Sequence, residues 1–140
     1  MKIPLQLITI DKDGFHLMVH ARINGLKANV LIDTGATRSV FDKNRVEYYL
    51  GDIALKKFDK FFTGIGATRI ETFATIIPSI TFGNYTLEKT EMVIIDMAMI
   101  NKSYAVFDLP RIDMVLGGDI LLRLGAMIDY QNRLLLINPL

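Results

Sequence analysis

The sequence predicts a mostly β protein, folded as a small closed or partly closed barrel with one to three short helices. Three observations support this fold class. Apolar and polar residues alternate along several short segments, which is the period of a half-buried strand. Turn-forming residues separate these segments, and the sequence has neither an internal repeat nor a regular alternation of strands and helices. The roughly nine short strands that result would expose many edges, and closure into a barrel hides them.

The N-terminal part of the chain predicts three antiparallel strands joined by two tight turns. The first strand, residues 5–10, returns through Asp11-Lys12-Asp13-Gly14 to the second strand, residues 15–23. The apolar positions of the second strand face the core, and the alternate positions face solvent, namely His16, Met18, His20 and Arg22. Asn24-Gly25 is a strong hairpin signal because both residue types tolerate positive φ. The third strand, residues 26–32, ends in an apolar triplet and runs into the core.

The middle of the chain predicts one helix and two hairpins. Asp42 is a candidate N-cap for a short helix that Gly51 ends, and residues 52–60 are ambiguous. A long hairpin turns at Thr63-Gly64-Ile65-Gly66, between residues 61–62 and residues 69–77. A second hairpin joins two further segments through a Gly-Asn turn, and its parts are residues 79–82, Gly83-Asn84 and residues 86–95.

The C-terminal part predicts a helix, a strand, a second helix and a last hairpin. Residues 97–107 are compatible with a helix, and residues 113–116 form a short apolar strand that ends at Gly117-Gly118. A short helix at residues 120–124 follows, and Gly125 ends it. The last hairpin joins residues 126–130 to residues 133–138. The chain of 140 residues is the size of one domain, so we predict a single domain spanning residues 1–140.

The composition excludes several classes of function. The chain has 16 basic and 15 acidic residues, and this balance argues against binding to nucleic acid, which needs a clustered basic excess. It has no cysteine, so thiolate nucleophiles, disulfides and cysteine-based zinc sites are excluded. The two histidines, His16 and His20, leave little for a catalytic triad and lie too far apart on one strand to bind the same metal ion easily. Catalysis would therefore depend on carboxylates, hydroxyls, lysine or an oxygen-bound metal.

No targeting or membrane-spanning segment is predicted. A proline and a glutamine interrupt the apolar residues at the N-terminus, and no small-residue cleavage site follows them. No apolar run approaches the roughly 20 residues that a membrane span needs. We therefore expect a cytoplasmic protein with no membrane association.

The candidate catalytic group is a carboxylate at the end of a buried strand. Residues 30–36 read Val-Leu-Ile-Asp-Thr-Gly-Ala, so Asp33 leaves the core on a tight loop and should be partly desolvated. Gly35, two residues further on, allows backbone N–H groups to approach the carboxylate. Thr34 can donate a hydrogen bond across a symmetry axis instead of facing solvent.

These residues resemble the signature of the aspartic proteases, and two later segments agree in the same order. Residues 62–66, Phe-Thr-Gly-Ile-Gly, are similar to the flap hairpin of retroviral proteases, and residues 115–125 are similar to the late segment that passes behind their active-site loop. The resemblance covers residues 17–137, nearly the whole chain. It implies a barrel of the acid-protease (retropepsin) type and looks closest to single-lobe bacterial members of this family.

The resemblance also implies a homodimer. Aspartic proteolysis needs two carboxylates around one water, and the chain contains one Asp-Thr-Gly. Each protomer would therefore contribute one Asp33, with the two-fold axis through the site. The implied catalytic residues are Asp33, Thr34 and Gly35, and the implied substrate-binding residues are Ala36, Thr63, Gly64, Ile65, Gly66 and Leu116. The substrate would be an extended peptide or protein, and neither a cofactor nor a metal is implied.

Two questions stay open at the level of the sequence. Thr37-Arg38 follows the motif where retroviral enzymes commonly have acidic residues, and Asp119 stands in the late segment where they place arginine. Arg38 could therefore form an ion pair with Asp119, or Asp119 could only cap its helix. The second question is whether the protein is an enzyme or a non-catalytic peptide-binding or adapter dimer. The intact Asp-Thr-Gly favours the enzyme.

Overall fold

The fold was taken from a computed structural model that describes residues 1–10, 12, 14–57 and 71–139. The strands within these residues are β1 Lys2–Pro4, β2 Gln6–Ile10, β3 Gly14–Ile23, β4 Leu26–Ile32, β5 Val40–Asp42, β6 Lys56–Lys57, β7 Phe73–Phe82, β8 Tyr85–Ile95, β9 Met114–Leu116, β10 Met127–Asp129 and β11 Leu134–Leu136. The helices are α1 Val46–Leu50, which follows a 3₁₀ turn at Lys43–Arg45, α2 Ala98–Val106 and α3 Gly118–Arg123. No described helix is long and apolar enough to cross a membrane.

The strands form a closed barrel, as the sequence predicts. The order around the barrel is β3, β4, β9, β5, β8 and β7, and β7 returns to β3 through the pairs Arg22↔Thr81 and Ile23↔Ile80. The pairs β4–β9 and β5–β8 are parallel, whereas the other neighbours around the barrel are antiparallel. Parallel neighbours come from distant parts of the chain, so the barrel brings the segment after β4 next to the segment after β9.

A separate three-stranded sheet joins the two ends of the described chain. β11 lies between β1 and β10, and both pairs are antiparallel. The last hairpin was predicted, and the Asp129 carboxylate closes its turn by accepting hydrogen bonds from the Asn132 backbone and side chain at 2.9 and 2.8 Å. β1 was not predicted, and neither was β5, because a strand of three residues is too short to show a period of two.

The strand β3 is buried on both faces in its middle, which corrects the prediction of a solvated face at Met18, whereas His16 and Arg22 are exposed as predicted. Leu17, Val19, Ala21 and Ile23 line the barrel interior as expected. Met18 faces the other way and is also fully buried. It belongs to an outer cluster that α2 covers, together with Ile8, Leu31, Val40, Val93, Met97, Tyr104, Ile112 and Val115. The barrel therefore has two apolar layers, one inside it and one between its wall and α2.

A buried carboxylate fastens α2 to the barrel wall. Asp42 is 1% exposed, and its Oδ1 accepts hydrogen bonds from the backbone N–H of Asn44 and of Met97, each at 3.1 Å. Asn101 of α2 donates to the Ile112 carbonyl at 3.0 Å and accepts from the Ile112 N–H at 2.7 Å. The predicted N-cap role of Asp42 is confirmed, and the same carboxylate also holds the start of α2.

One long strand replaces two predicted strands. β7 continues through Pro78, where the sequence predicted an end at residue 77 and a new strand at residue 79. Pairing with β8 keeps one register on both sides of Pro78, from Ile77↔Thr90 to Ser79↔Glu88. Proline lacks an N–H and removes one ladder bond, but the adjacent pairs hold the strand together.

Candidate active site

Asp33 lies at the exposed end of β4, at the mouth of the loop that follows. Its Oδ1 accepts a hydrogen bond from the Gly35 N–H at 3.0 Å, and its carbonyl accepts from the Ala36 N–H at 3.1 Å. A backbone N–H at Gly35 therefore contacts the Asp33 carboxylate, as the sequence predicts. Asp33, Thr34 and Gly35 are all exposed in the single chain, so the expected partial desolvation of Asp33 is not found there. The Asp33 carboxylate therefore lies on the surface at the end of β4 and is not enclosed by the barrel.

The late segment supports this loop from behind. The Asp33 N–H donates to the Leu116 carbonyl at 3.0 Å, and the Gly118 N–H donates to the Ala36 carbonyl at 2.8 Å. Both bonds continue the parallel pairing of β4 with β9 beyond the strand ends. Leu116 has no exposed side-chain surface in the single chain, and its carbonyl positions Asp33. Its place among the substrate-binding residues stays a prediction.

Ser39 locks the far end of the loop to the late segment. Its hydroxyl donates to Asp119 Oδ1 at 2.7 Å and accepts from the Gly117 N–H at 2.8 Å, while its backbone N–H donates to the same Asp119 oxygen at 2.9 Å. Ser39 is thus the partner that the structure gives for the Asp119 carboxylate, and the ion pair of Asp119 with Arg38 stays a hypothesis. The capping alternative is corrected, because α3 begins after Gly117 and Asp119 lies in its first turn.

Gly117 is required where the two segments cross. A Cβ atom at this position would lie 2.7 Å from the Ala36 carbonyl oxygen and 2.9 Å from the Arg38 carbonyl carbon. Real Cβ atoms do not approach backbone atoms this closely, so a side chain here would push the loop outward. At Gly118, by contrast, the nearest atom would be 3.6 Å away, which is an ordinary contact.

A cavity of about 270 Å³ opens beside the Asp33 carboxylate. Its walls come from β3, the end of β4 and the region of β10, and the lining residues are Phe15, His16, Leu17, Leu31, Ile32, Asp33, Thr34, Ile128 and Tyr130. The last pair of the β3–β4 ladder is Leu17↔Ile32, so His16 follows directly opposite Asp33. His16 is exposed, as the strand pattern predicts, but its position beside the carboxylate was not predicted.

Tyr104 of α2 holds the His16 side chain. Its hydroxyl lies 3.4 Å from His16 Nδ1, and the two rings meet edge to face with centroids 6.2 Å apart. Burial raises the pKa of Tyr104, so its hydroxyl keeps its proton and can donate to Nδ1. A histidine that accepts at Nδ1 carries its proton on Nε2. His16 can thereby offer an N–H donor on the side of the ring away from α2.

Apolar side chains remain uncovered around the site. Leu122, Met127 and Tyr130 are 70%, 60% and 64% exposed. Thr34 lines the cavity beside Asp33 and also a second cavity, of about 320 Å³, with Leu121, Leu122 and Ala126. The predicted Thr63, Gly64, Ile65 and Gly66 lie outside the described residues. Within the described residues, no group of histidines and carboxylates could hold a metal ion.

Comparisons with known proteins agree with this arrangement. Residues 19–120 match the family model described as aspartyl protease. The chain is similar to the crystal structure of a retropepsin-like aspartic protease from Rickettsia conorii, with a TM-score of 0.62 and 20% identity over 99% of this chain and 94% of that chain. No curated protein sequence matches it.

Two further solved structures share the fold. One is the retroviral protease-like domain of Ddi1 from Leishmania major, with a TM-score of 0.60 and 19% identity over 89% of this chain and 90% of that chain. The other is the EIAV protease complexed with the inhibitor HBY-793, with a TM-score of 0.60 and 25% identity over 87% of this chain and 99% of that chain. The predicted barrel of the retropepsin type is therefore confirmed.

Proposed function

The chain belongs to the aspartyl protease family, and from this premise we propose that it is an aspartic endopeptidase that works as a homodimer. Each protomer contributes one Asp33, and the two carboxylates bind the attacking water between them. The substrate is an extended peptide or protein segment that lies across both protomers.

The proposed reaction divides two roles between identical groups. One Asp33 is ionised and takes a proton from the water, while the partner's Asp33 is protonated and donates to the oxygen of the scissile carbonyl. The water oxygen bonds to the carbonyl carbon and gives a tetrahedral intermediate. The carbon–nitrogen bond then breaks as the amine nitrogen takes the proton from one carboxyl, and a hydroxyl of the intermediate gives its proton to the other carboxylate, which leaves the pair with one proton again. Two carboxyl groups this close share one proton, because both cannot be ionised together.

The observation that carries the proposal is an exposed carboxylate on a rigid base. Asp33 accepts one hydrogen bond within the described part of the chain, from Gly35, and therefore keeps acceptor capacity for a water or a shared proton. The loop beneath it is fastened through Leu116, Gly118 and Ser39 to the late segment. A binding module would not need an open carboxylate held this firmly.

The surface around Asp33 supports the dimer. Leu122 and Tyr130 are exposed apolar side chains in the two cavities that Thr34 lines. Met127 of β10 is also exposed, and β10 pairs only with β11 among the strands of the described residues. A second copy placed on this surface would cover that area and bring the two Asp33 loops together. Thr34 would then donate across the two-fold axis. The cavity with His16 would receive a substrate side chain beside the scissile bond.

The test is cleavage of an unbiased peptide mixture between pH 4 and pH 7. The wild-type protein should cleave, Asp33→Asn should abolish cleavage, and the control Asp52→Asn, which changes an exposed carboxylate on another loop, should retain it. Cleavage that survives Asp33→Asn would reject the catalytic assignment. A protein that binds peptides and cleaves none of them would be a binding module.

Mixed dimers test whether two subunits share one site. Wild-type and Asp33→Asn protein are unfolded together in equal amounts and refolded. If each site needs Asp33 from both protomers, about a quarter of the activity of an all-wild-type sample remains, since random pairing gives that share of wild-type dimers. Retention of half the activity would show that each subunit works alone.

A further inference from the structure

A row of hydrogen-bond donors crosses four neighbouring strands on the outer face of the barrel. Arg22 of β3 pairs with Lys27 of β4 on one side and with Thr81 of β7 on the other. Thr81 pairs in turn with Thr86 of β8, and their hydroxyl oxygens are 2.9 Å apart. Directly opposed residues in antiparallel strands point to the same face. Two cations and two hydroxyls therefore stand side by side.

This row borders a cavity of about 400 Å³ that has a basic lining. The lining residues are His20, Ala21, Arg22, Lys27, Thr81 and Gly83, and no acidic residue is found among those that the structure describes there. Arg22 donates to the Gly25 carbonyl at 3.3 Å, which uses one of its five donors. Neither Arg22 nor Lys27 forms an ion pair with a carboxylate of a described residue.

The opposed pair Arg22↔Lys27 costs stability in the free protein. Like charges directly opposite each other in a sheet are destabilising. Locally unfavourable arrangements of this kind are expected mainly at functional positions. His20 adds a second unusual feature, because its Nδ1 is buried and has no hydrogen-bond partner within the described chain. An anion in the cavity would offset the repulsion between Arg22 and Lys27.

We propose that this cavity binds an oxyanion of the phosphate class. A phosphate group carries a charge near −2 and three strong acceptor oxygens, which matches the charges of Arg22 and Lys27 together with the Thr81 hydroxyl. The planar guanidinium binds two oxygens of such a group at once. The phosphate is either free or carried on a phosphorylated peptide, and both sources present the same chemistry to the cavity.

The proposed site is separate from the proposed active site. Five residue steps of the β3–β4 ladder separate the pair Arg22↔Lys27 from the pair Leu17↔Ile32, a distance of about 17 Å at about 3.4 Å per residue. A phosphorylated segment bound here would not occupy the Asp33 cavity. The proposal therefore stands or falls independently of the proteolytic function.

The experiment compares thermal stability with and without inorganic phosphate, at pH 7.5 and at ionic strength matched with sodium chloride. Phosphate should raise the Tm of the wild-type protein. Arg22→Gln should raise the Tm by about 1–2 °C without phosphate, because the repulsion is removed, and should abolish the gain with phosphate. Lys27→Gln should behave in the same way. Lys102→Gln, which removes an exposed charge on α2 outside the cavity, should keep the wild-type response.

A titration followed by NMR locates the site and identifies the source of the phosphate. Inorganic phosphate should shift the backbone signals of His20, Arg22, Lys27 and Thr81 until they saturate, and Arg22→Gln should weaken this binding by about tenfold or more. A phosphoserine peptide is titrated alongside its unphosphorylated form, using the Asp33→Asn protein so that no peptide is cleaved. Tighter binding of the phosphopeptide than of free phosphate would identify a protein-borne ligand, and the reverse would identify free phosphate.

Three results would overturn the proposal. The first is that phosphate has no more effect than sodium chloride of the same ionic strength. The second is that Lys102→Gln loses the phosphate response as fully as Arg22→Gln. The third is that a peptide with glutamate in place of phosphoserine binds equally well, which would make the ligand a carboxylate.

Discussion

Two aspartates at strand ends differ in burial and in hydrogen bonding. Asp33 directly follows β4, and Asp42 is the last residue of β5. Asp42 is 1% exposed and accepts hydrogen bonds from Asn44, Met97 and Asn101. Asp33 is exposed and accepts one, from Gly35, within the described chain. Both oxygens of the Asp42 carboxylate accept hydrogen bonds that hold the fold together. The Asp33 carboxylate can still accept hydrogen bonds from a water or a substrate.

The apolar surfaces beside these two aspartates differ in the same way. The chain covers the outer cluster near Asp42 with its own α2. It leaves Leu122, Met127 and Tyr130 uncovered near Asp33. Exposed apolar patches of this kind commonly mark interaction surfaces. The uncovered side chains near Asp33 are therefore consistent with a surface that binds a second copy or a substrate.

The largest effect on stability is expected from removing the buried Asp42 carboxylate. Asp42→Ala leaves the N–H groups of Asn44 and Met97 without the carboxylate that accepts from them and removes one of the two acceptors of Asn101, so we expect a loss of about 3 kcal/mol in the free energy of unfolding. Urea denaturation measures this loss. Asp33→Ala serves as the contrasting variant and should change the stability by about 0.5 kcal/mol at most. Equal losses for the two variants would contradict the comparison.

A smaller effect is expected from crowding the base of the Asp33 loop. Gly117→Ala forces a Cβ against Ala36 and Arg38, and overpacking of this kind costs about 2 kcal/mol. Peptide cleavage should fall more steeply than stability, because displacement of a reacting group by about 1 Å can cost a hundredfold in rate. Gly118→Ala is the matched control, with an open contact at 3.6 Å. Similar behaviour of both variants would show that the crossing is not tight.

Self-association tests the uncovered surface. Leu122→Glu places a charge on the face beside Asp33, and we expect the dissociation constant of the proposed dimer to rise about tenfold or more. Sedimentation across a concentration series measures it. Met99→Glu alters a side chain of α2 that is 85% exposed and should leave the dimer intact. A dimer disrupted by Met99→Glu and unaffected by Leu122→Glu would move the interface to the α2 side.

The smallest effect is a loss of stability in alkali from a buried phenol. Burial raises the pKa of Tyr49 to about 12, above the value of about 10 for an unfolded tyrosine. Its hydroxyl also donates to the Lys27 carbonyl at 2.8 Å. The contribution to stability is fully present below about pH 10 and is lost as the pH rises towards about 12. Unfolding by urea between pH 8 and pH 11.5 should show this decline, and Tyr49→Phe should reduce it.

The sequence predicted the parts of the fold that local patterns determine. The Asn24-Gly25 turn has positive φ at both residues and sets the register of β3 with β4, as expected. The strand that ends at Asp33 was predicted from its apolar run. The three-residue strands β1 and β5 were missed because contacts with distant strands, not their own residues, define them.

The candidate site was predicted less completely, for the same reason. Ser39 has no local signal, and its importance comes from Gly117 and Asp119, which are distant along the chain. His16 could have been found, since counting back from the Asn24-Gly25 turn pairs residue 16 with residue 33. The ion pair proposed for Arg38 was based on matching charges by sequence position, and the donors that the structure gives to Asp119 come from the neighbouring Ser39.

The lock between Ser39 and Asp119 also bears on how the protein folds. Its two halves are 80 positions apart in the chain, next to the parallel pair of β4 with β9. Contacts over such separations are slow to form, because a long loop must be closed first. An incompletely folded chain therefore lacks a rigid Asp33 loop. The protein would become proteolytically competent only once its own barrel has closed, when few of its peptide bonds are still accessible to cleavage.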